Sequence, residues 1–454
     1  MKSRGDAMDD SLIIVRQVAL QEAVQKHEAA YTQAVDQGTT NAATTDASGL
    51  DPYQKARFLA AWNNGMGQLN TSGSSAPIMT TAQNGIASRI QSSLVEFAQA
   101  NGQLQVVTPA QEIVSGDTAV QMAQLLEVKF DNFDWLGWMG MAYLFIFKPD
   151  NAPWMPPPTV PDTIDNKAVV AVFGDWGTGR YGAPFIATQI RRMDRCDVAL
   201  HLGDTYYAGR ANEISRRLTM EWPNRTGTIN RTLNGNHEMY SGGVSYFDAL
   251  ADSTGLFKQS SSCFAMQNDN WLLLGLDSSY VDADIDADQV VWITSMVKGD
   301  AGKNKKVILF SHHQLYSKYD NISHNVQAAL GPLLAEKLIY GWFFGHEHRM
   351  VIFEPHSQWG VRARCVGNGG FPEFRKQKGD ASDPLTWINL AEDNTTHVPA
   401  AKSLDGANRF VAADGGDPGA YVPHAFMYLD FDGDRVFETY VDPDGNTIRA
   451  REEM

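Results

Sequence analysis

The sequence from about residue 160 onward predicts an α/β fold, and three observations carry the prediction. Short apolar runs of strand length recur, with helical stretches between several of them. Those runs are nearly continuous in hydrophobicity, as expected of strands covered on both faces. Each of the strongest runs ends in, or leads to, a glycine- and polar-rich turn.

The strand candidates are KAVVAVFG (167–174), DVALHLG (197–203), NWLLLGLD (270–277), KKVILFS (305–311) and LIYGWFFG (338–345), all rich in β-branched, leucine or aromatic residues. Helical patterns lie near 183–193, 286–298 and 324–336. VDADIDAD (281–288) resembles the opening of a calcium loop, but Ala287 stands at the required glycine position. It reads as the acidic lead into the helix containing DQVVWITSMV. Near the end, FMYLDF, RVFETYV and TIRA are separated by the turn signals FDGD and DPDGN, which predicts a β-meander and hence some antiparallel pairing. His201 lies inside an apolar strand and reads as a hydrogen-bonded core histidine.

The first 160 residues differ in character. SLIIVRQVALQEAVQKHEAAYTQAV (11–35) has apolar residues at helical spacing, and polar, small-residue stretches separate such segments. The apolar run WLGWMGMAYLFIF (135–147) is shorter than a membrane span requires and reads as a buried segment. PWMPPPTVPD (153–162) can neither continue a helix nor sit in a central strand, so a boundary is expected there. The expected organisation is a mostly helical accessory region, 1–160, followed by a catalytic domain, 161–454.

The 454-residue chain is 43% hydrophobic and 20% charged, within the range of globular proteins. A formal net charge of −16 opposes broad affinity for nucleic acid or anionic membrane, because polyanion binding rests on Lys and Arg. Three scattered cysteines, Cys196, Cys263 and Cys365, make neither a disulfide framework nor a thiolate zinc site. The apolar run near the amino terminus is too short for a signal-peptide core, so the sequence as it stands reads as cytoplasmic, or as secreted or periplasmic if a leader has been removed.

The polar turns carry the chemistry. They are GDWG with Asp175, GDTYY with Asp204 and Tyr207, NGNHE with Asn236 and His237, SHH with His312 and His313, and GHEH with His346 and His348. Strand carboxyl ends are where open α/β folds bind ligands. Two carboxylates, a carboxamide, a phenol and several imidazoles form a hard-oxygen and nitrogen donor set for first-row metals, sufficient for two ions if one aspartate bridges them.

Taken in order, these five motifs resemble those of the calcineurin-like metallophosphoesterases, and within that superfamily the purple acid phosphatases. Most superfamily members carry histidine two residues after the first aspartate, where this chain has Gly177; Tyr207, three residues after the second aspartate, supplies the alternative donor. The resemblance covers about residues 167–354 and does not reach the first 160. It implies a β-sandwich flanked by helices, a four-layer α/β/β/α arrangement. It also implies that Asp175, Asp204, Tyr207 and His348 hold Fe(III), while Asp204, Asn236, His312 and His346 hold a divalent Fe, Zn or Mn. His237 is then the residue that protonates the leaving group or clamps the phosphate. Relatives often carry a further substrate-facing histidine nine or ten residues beyond the fourth-motif ligand; His324 lies twelve beyond His312, so its match needs a small insertion. His313 reads as a supporting or packing residue, and Trp176 and Tyr206 as core aromatics before pocket lining.

The expected function is hydrolysis of small phosphate monoesters by a metal-bound hydroxide at a dinuclear centre. A phosphodiesterase or nucleotide hydrolase is the alternative, followed by a non-catalytic phosphate-binding protein. The stretch 370–424, rich in Gly, Pro and Asp with Arg375, Lys376 and Lys378, reads as a long insertion near the site.

Overall fold

A computed structural model describes residues 150–320, 324–414 and 416–454. The helical reading of the amino-terminal region and the apolar run at 135–147 lie outside the described residues. From Asn151 to Met454 the chain forms one compact unit. The proline-rich stretch and the residue before it belong to this unit: Trp292 donates its indole N–H to Pro158 O, Ser261 its hydroxyl to Met155 O and Tyr280 its hydroxyl to Ala152 O.

The strands in chain order are β1 (Asp162–Thr163), β2 (Val169–Phe173), β3 (Val198–His201), β4 (Ile229–Thr232), β5 (Phe264–Gln267), β6 (Trp271–Gly275), β7 (Lys306–Ser311) and β8 (Ile339–Phe344). They continue with β9 (Met350–Phe353), β10 (Arg362–Val366), β11 (Thr386–Leu390), β12 (Ala401–Asp405), β13 (Phe426–Asp432), β14 (Arg435–Val441) and β15 (Thr447–Glu453). The five runs named from the sequence are β2, β3, β6, β7 and β8.

Two mixed sheets result. The smaller has the order β15-β14-β13-β2-β3-β4, and the larger β1-β5-β6-β7-β8-β10-β9-β12-β11. In the smaller sheet β2, β3 and β4 run parallel, and the expected meander β13–β15 adds antiparallel to the free side of β2. In the larger, β6, β7 and β8 are parallel.

Side-chain alternation sets the layers. Val170 and Val172 of β2 point into the apolar core shared with Ile308, Phe310 and Phe343 of the larger sheet. Ala171 and Phe173, one residue out of phase, face the opposite way and pack with Ile186 and Ile190 of α1 (Ala183–Arg192) and with Tyr246 and Phe247 of α2 (Val244–Ala251). Val307 and Leu309 of β7 likewise meet Trp292, Ile293 and Met296 of α3 (Ala287–Lys298). A helix layer therefore covers the outer face of each sheet, giving the expected α/β/β/α order. Asp286 caps α3 by accepting from Asp288 N, as read from the acidic run.

Candidate metal centre

Both sheets send strand ends to one place. Asp175 follows β2, Asp204 follows β3 and Asn236 follows β4; His312 follows β7, and His346 and His348 follow β8. Four of these six residues have positive φ: Asp175 (53°), Asp204 (77°), His346 (69°) and His348 (49°). Non-glycine residues enter that region seldom and at a cost of order 1–3 kcal/mol, and such conformations concentrate where side chains must converge. Close approach also demands Gly345, because a Cβ there would stand 2.5 Å from Asp175 Oδ2.

The side-chain ends meet. One donor atom each from Asp175, Asp204 and His312 lie within 4.8 Å of one another, all three residues buried. Asn236 Oδ1 is 2.8 Å from His312 Nε2 and 3.0 Å from His346 Nδ1. His348 Nε2 is 3.2 Å from Asp175 Oδ1. Asp204 Oδ1 accepts the backbone N–H of His237 at 3.0 Å and lies 3.4 Å from His312 Nε2. Asp175 Oδ2 accepts the backbone N–H of His346 at 2.8 Å.

Charge balance at the centre is one-sided. Burial alone would raise the Asp204 carboxyl, but the imidazoles of His237, His312 and His346 outweigh it and hold Asp204 well below the carboxylate range. Burial would lower His312, yet the carboxylates of Asp204, Asp175 and Glu238 raise it. For His348 the carboxylates of Asp175 and Glu373 likewise overcome burial and push the ring up to about 10. His346 goes the other way, lowered by burial and by the facing His313 and His312. Carboxylates thus favour the charged rings of His312 and His348, while the crowded His346 ring stays neutral. A converging set of oxygen and nitrogen donors with no thiolate fits first-row metal cations.

The phenol is the main departure from expectation. Tyr206, read as a core aromatic, turns inward: its Oη is 3.0 Å from Asp175 Oδ1, 3.2 Å from Asp204 Oδ2 and 3.0 Å from His348 Nε2. Tyr207, named by motif spacing, is buried with its ring 5.8 Å from the Arg217 guanidinium. The Tyr206 phenol thus meets both aspartates and His348. Trp176 is a core residue as expected, donating its indole N–H to Ala183 O.

His237 is buried beside the cluster. Its Nδ1 lies 2.5 Å from Tyr207 O, which turns Nε2 toward Asp204 Oδ2 at 3.7 Å. His313 packs its ring 4.6 Å from that of His346, with Nδ1 3.1 Å from Ser278 Oγ. His324 is different: it is exposed at the first residue of the short helix His324–Ala329 and, among the described residues, makes none of the contacts that join the others. The inserted residues do not supply it to the cluster. His201 is a core residue as read, buried with Nδ1 3.2 Å from Thr232 Oγ1.

Three supporting residues escaped the sequence reading. Glu238 accepts the backbone N–H groups of Asp204 (3.2 Å) and Gly235 (2.9 Å) through Oε2, tying two donor loops together. Phe371 and Glu373, from the inserted stretch, flank His348. Glu238 was visible as the last residue of NGNHE; nothing in the sequence marked the other two.

Residues 168–350 match the calcineurin-like phosphoesterase family model. Among curated proteins no match is found. Solved structures similar to the chain include a purple acid phosphatase from yellow lupin (Lupinus luteus) seeds, 17% identical, with a TM-score of 0.44 over 64% of this chain and 53% of that one. The chain thus spans about half the length of the lupin protein. Others are GAP50, the anchor in the inner membrane complex of Plasmodium (12% identity, TM-score 0.44, 63% of this chain and 88% of that one), and a dimetal phosphatase from Danio rerio (13%, 0.39, 63% and 99%). No helix among the described residues is long and apolar enough to cross a membrane. The family match spans every motif through His348, so residues 168–350 carry a calcineurin-like phosphoesterase domain.

Proposed function

We propose that the chain is a phosphomonoesterase of the purple acid phosphatase type, with Fe(III) and a divalent Fe, Zn or Mn as its metals and a small phosphate ester as its substrate. The observation that carries the reading is the entry of a phenol into a cluster of two carboxylates, a carboxamide and three imidazoles. Asp175, the phenol and His348 would hold the ferric ion, Asn236, His312 and His346 the divalent one, and Asp204 both. A phenolate favours the trivalent ion, because the more highly charged cation better stabilises an anionic oxygen.

When bound, two such ions lower the pKa of water and neutralise phosphate oxygens. The protein's share is positional. Asp204, pinned by His237 N, and Asn236, set between His312 and His346, keep the donors converged. His237, whose Nδ1 faces the Tyr207 carbonyl, keeps Nε2 toward the cluster, where it can hold a proton for a leaving oxygen. The local positive charge also reconciles a phosphate substrate with a net charge of −16.

The deciding experiment is hydrolysis of a chromogenic phosphate monoester and its diester analogue across pH, on protein carrying its native metals. Faster monoester cleavage is expected. Faster diester cleavage would replace the reading with a phosphodiesterase, and cleavage of neither would remove the acid phosphatase assignment.

A further inference from the structure

The histidines of the cluster do not all present the same nitrogen. His346 turns Nδ1 inward, toward Asn236 Oδ1 at 3.0 Å. His312 and His348 turn Nε2 inward instead. An imidazole that offers one nitrogen as a donor must carry its proton on the other, and that proton needs an acceptor when the ring is buried. For His312 the acceptor is Leu202 O, 2.9 Å from Nδ1. For His348 the buried Nδ1 has no hydrogen-bond partner among the described residues, and the carboxylate oxygen facing it, Glu373 Oε2, stands 3.5 Å away.

Glu373 is held for that contact. Its Oε1 accepts the backbone N–H of Phe374 at 2.8 Å and lies 3.9 Å from the Arg349 guanidinium. Its own carbonyl accepts Val422 N at 2.8 Å. Two residues earlier, the Phe371 ring lies 4.5 Å from the His348 ring at 34°, fixing the plane in which the imidazole sits. The remaining oxygen, Oε2, is the one that faces Nδ1.

We propose that Glu373 is a positioning residue of the metal centre: its carboxylate takes the Nδ1–H of His348, fixes Nε2 as the donor atom and makes the inserted stretch part of the site. The inference rests on the reading of the cluster as a dinuclear metal centre. A carboxylate behind a ligating imidazole orients the ring and raises its basicity, and removal of such a partner typically lowers metal affinity by about 10–100-fold.

The test is titration of metal-free protein with Zn²⁺ against a chromophoric chelator, for wild type, Glu373→Ala and Glu373→Gln. Wild type should take up two ions. Glu373→Ala should weaken one of them by about 10–100-fold and leave the other unchanged. Glu373→Gln, whose amide oxygen still accepts the Nδ1–H, should recover part of the loss, with an unfolding temperature equal to wild type in the metal-free state. Two ions bound by Glu373→Ala with wild-type affinity would overturn the proposal, as would equal weakening of both ions. Should Glu373→Ala not fold, Glu373→Gln carries the test, and wild-type affinity for both ions in that variant would overturn it. Wild-type protein that binds no Zn²⁺ would instead overturn the metal-centre reading, whatever Glu373 does.

Discussion

Gly177→Ala puts the steric logic of the site to a quantitative test. Gly177 pairs with Thr205 across the two first motif loops; its N–H donates to Asp204 O at 3.2 Å, and its carbonyl accepts Tyr206 N at 2.9 Å. A Cβ at this position would stand 2.7 Å from Asp204 O and 2.7 Å from Thr205 Cα. Both obstacles are backbone, so no side chain can swing aside, and the loop bearing Asp204 and Tyr206 must move. Overpacking of this kind costs about 1–3 kcal/mol. For a unit of this size that corresponds to a fall of roughly 2–10 °C in unfolding temperature. The histidine that most of the superfamily carries here is larger still and would not fit the loop as it stands. Gly331→Ala is the control: nothing lies within 4 Å of its Cβ, and it opens the short helix Gly331–Ala335. Its stability should match or slightly exceed wild type. The assay is urea unfolding of metal-free protein at neutral pH. Gly177→Ala within about 0.5 kcal/mol of wild type would refute the reasoning.

Other perturbations separate the roles of single groups. Tyr206→Phe should lower metal uptake and abolish any visible charge-transfer band, while Tyr207→Phe should preserve both; the reverse result, read by absorbance and metal analysis, returns the role to Tyr207. His237→Ala should reduce turnover by about 10²–10⁴-fold with metal content intact, and unchanged kinetics would remove it from the chemistry. The His424 ring, buried with Nδ1 3.0 Å from Asn368 O, is pushed down by burial to about 4. Because its folded pKa lies below the unfolded value of 6.5, the unfolded chain binds the proton first. This makes no difference above pH 6.5 and costs on the order of 3 kcal/mol by pH 4. His424→Gln should therefore show a flatter decline in stability across that window, measured by urea unfolding of metal-free protein, and a decline parallel to wild type would contradict the assignment.

The residues that the sequence exposed and those it hid differ for physical reasons. Runs such as VVAVF and KVILFS are buried on both faces, so hydrophobicity alone marks them, and the polar residues that end them stand out against that background. Tyr206 and Tyr207 are neighbours with the same side chain. Which of them turns inward depends on the path of the backbone around Gly177, a long-range contact that spacing cannot encode. His324 was assigned by counting from His312, and a count is only as good as the loop between, which here carries the histidine to an exposed helix start. Glu373 sits in a stretch without periodicity, held by an ion pair between Arg375 and Asp405 and by the antiparallel β11–β12 pair that extends the larger sheet. Its meaning arises only when that stretch returns to His348.

The placement of β13 has a consequence for synthesis. Asp175, Asp204 and Asn236 hang from the smaller sheet, and His312, His346 and His348 from the larger, so the ribosome has delivered every one of them once residue 348 has emerged. The strand that pairs with the open side of β2 does not begin until Phe426. A growing chain thus exposes all six groups before half of the smaller sheet exists to space them. The spacing of the three donors on the smaller sheet is thus completed by the last part of the chain, through the strand that covers the open side of β2.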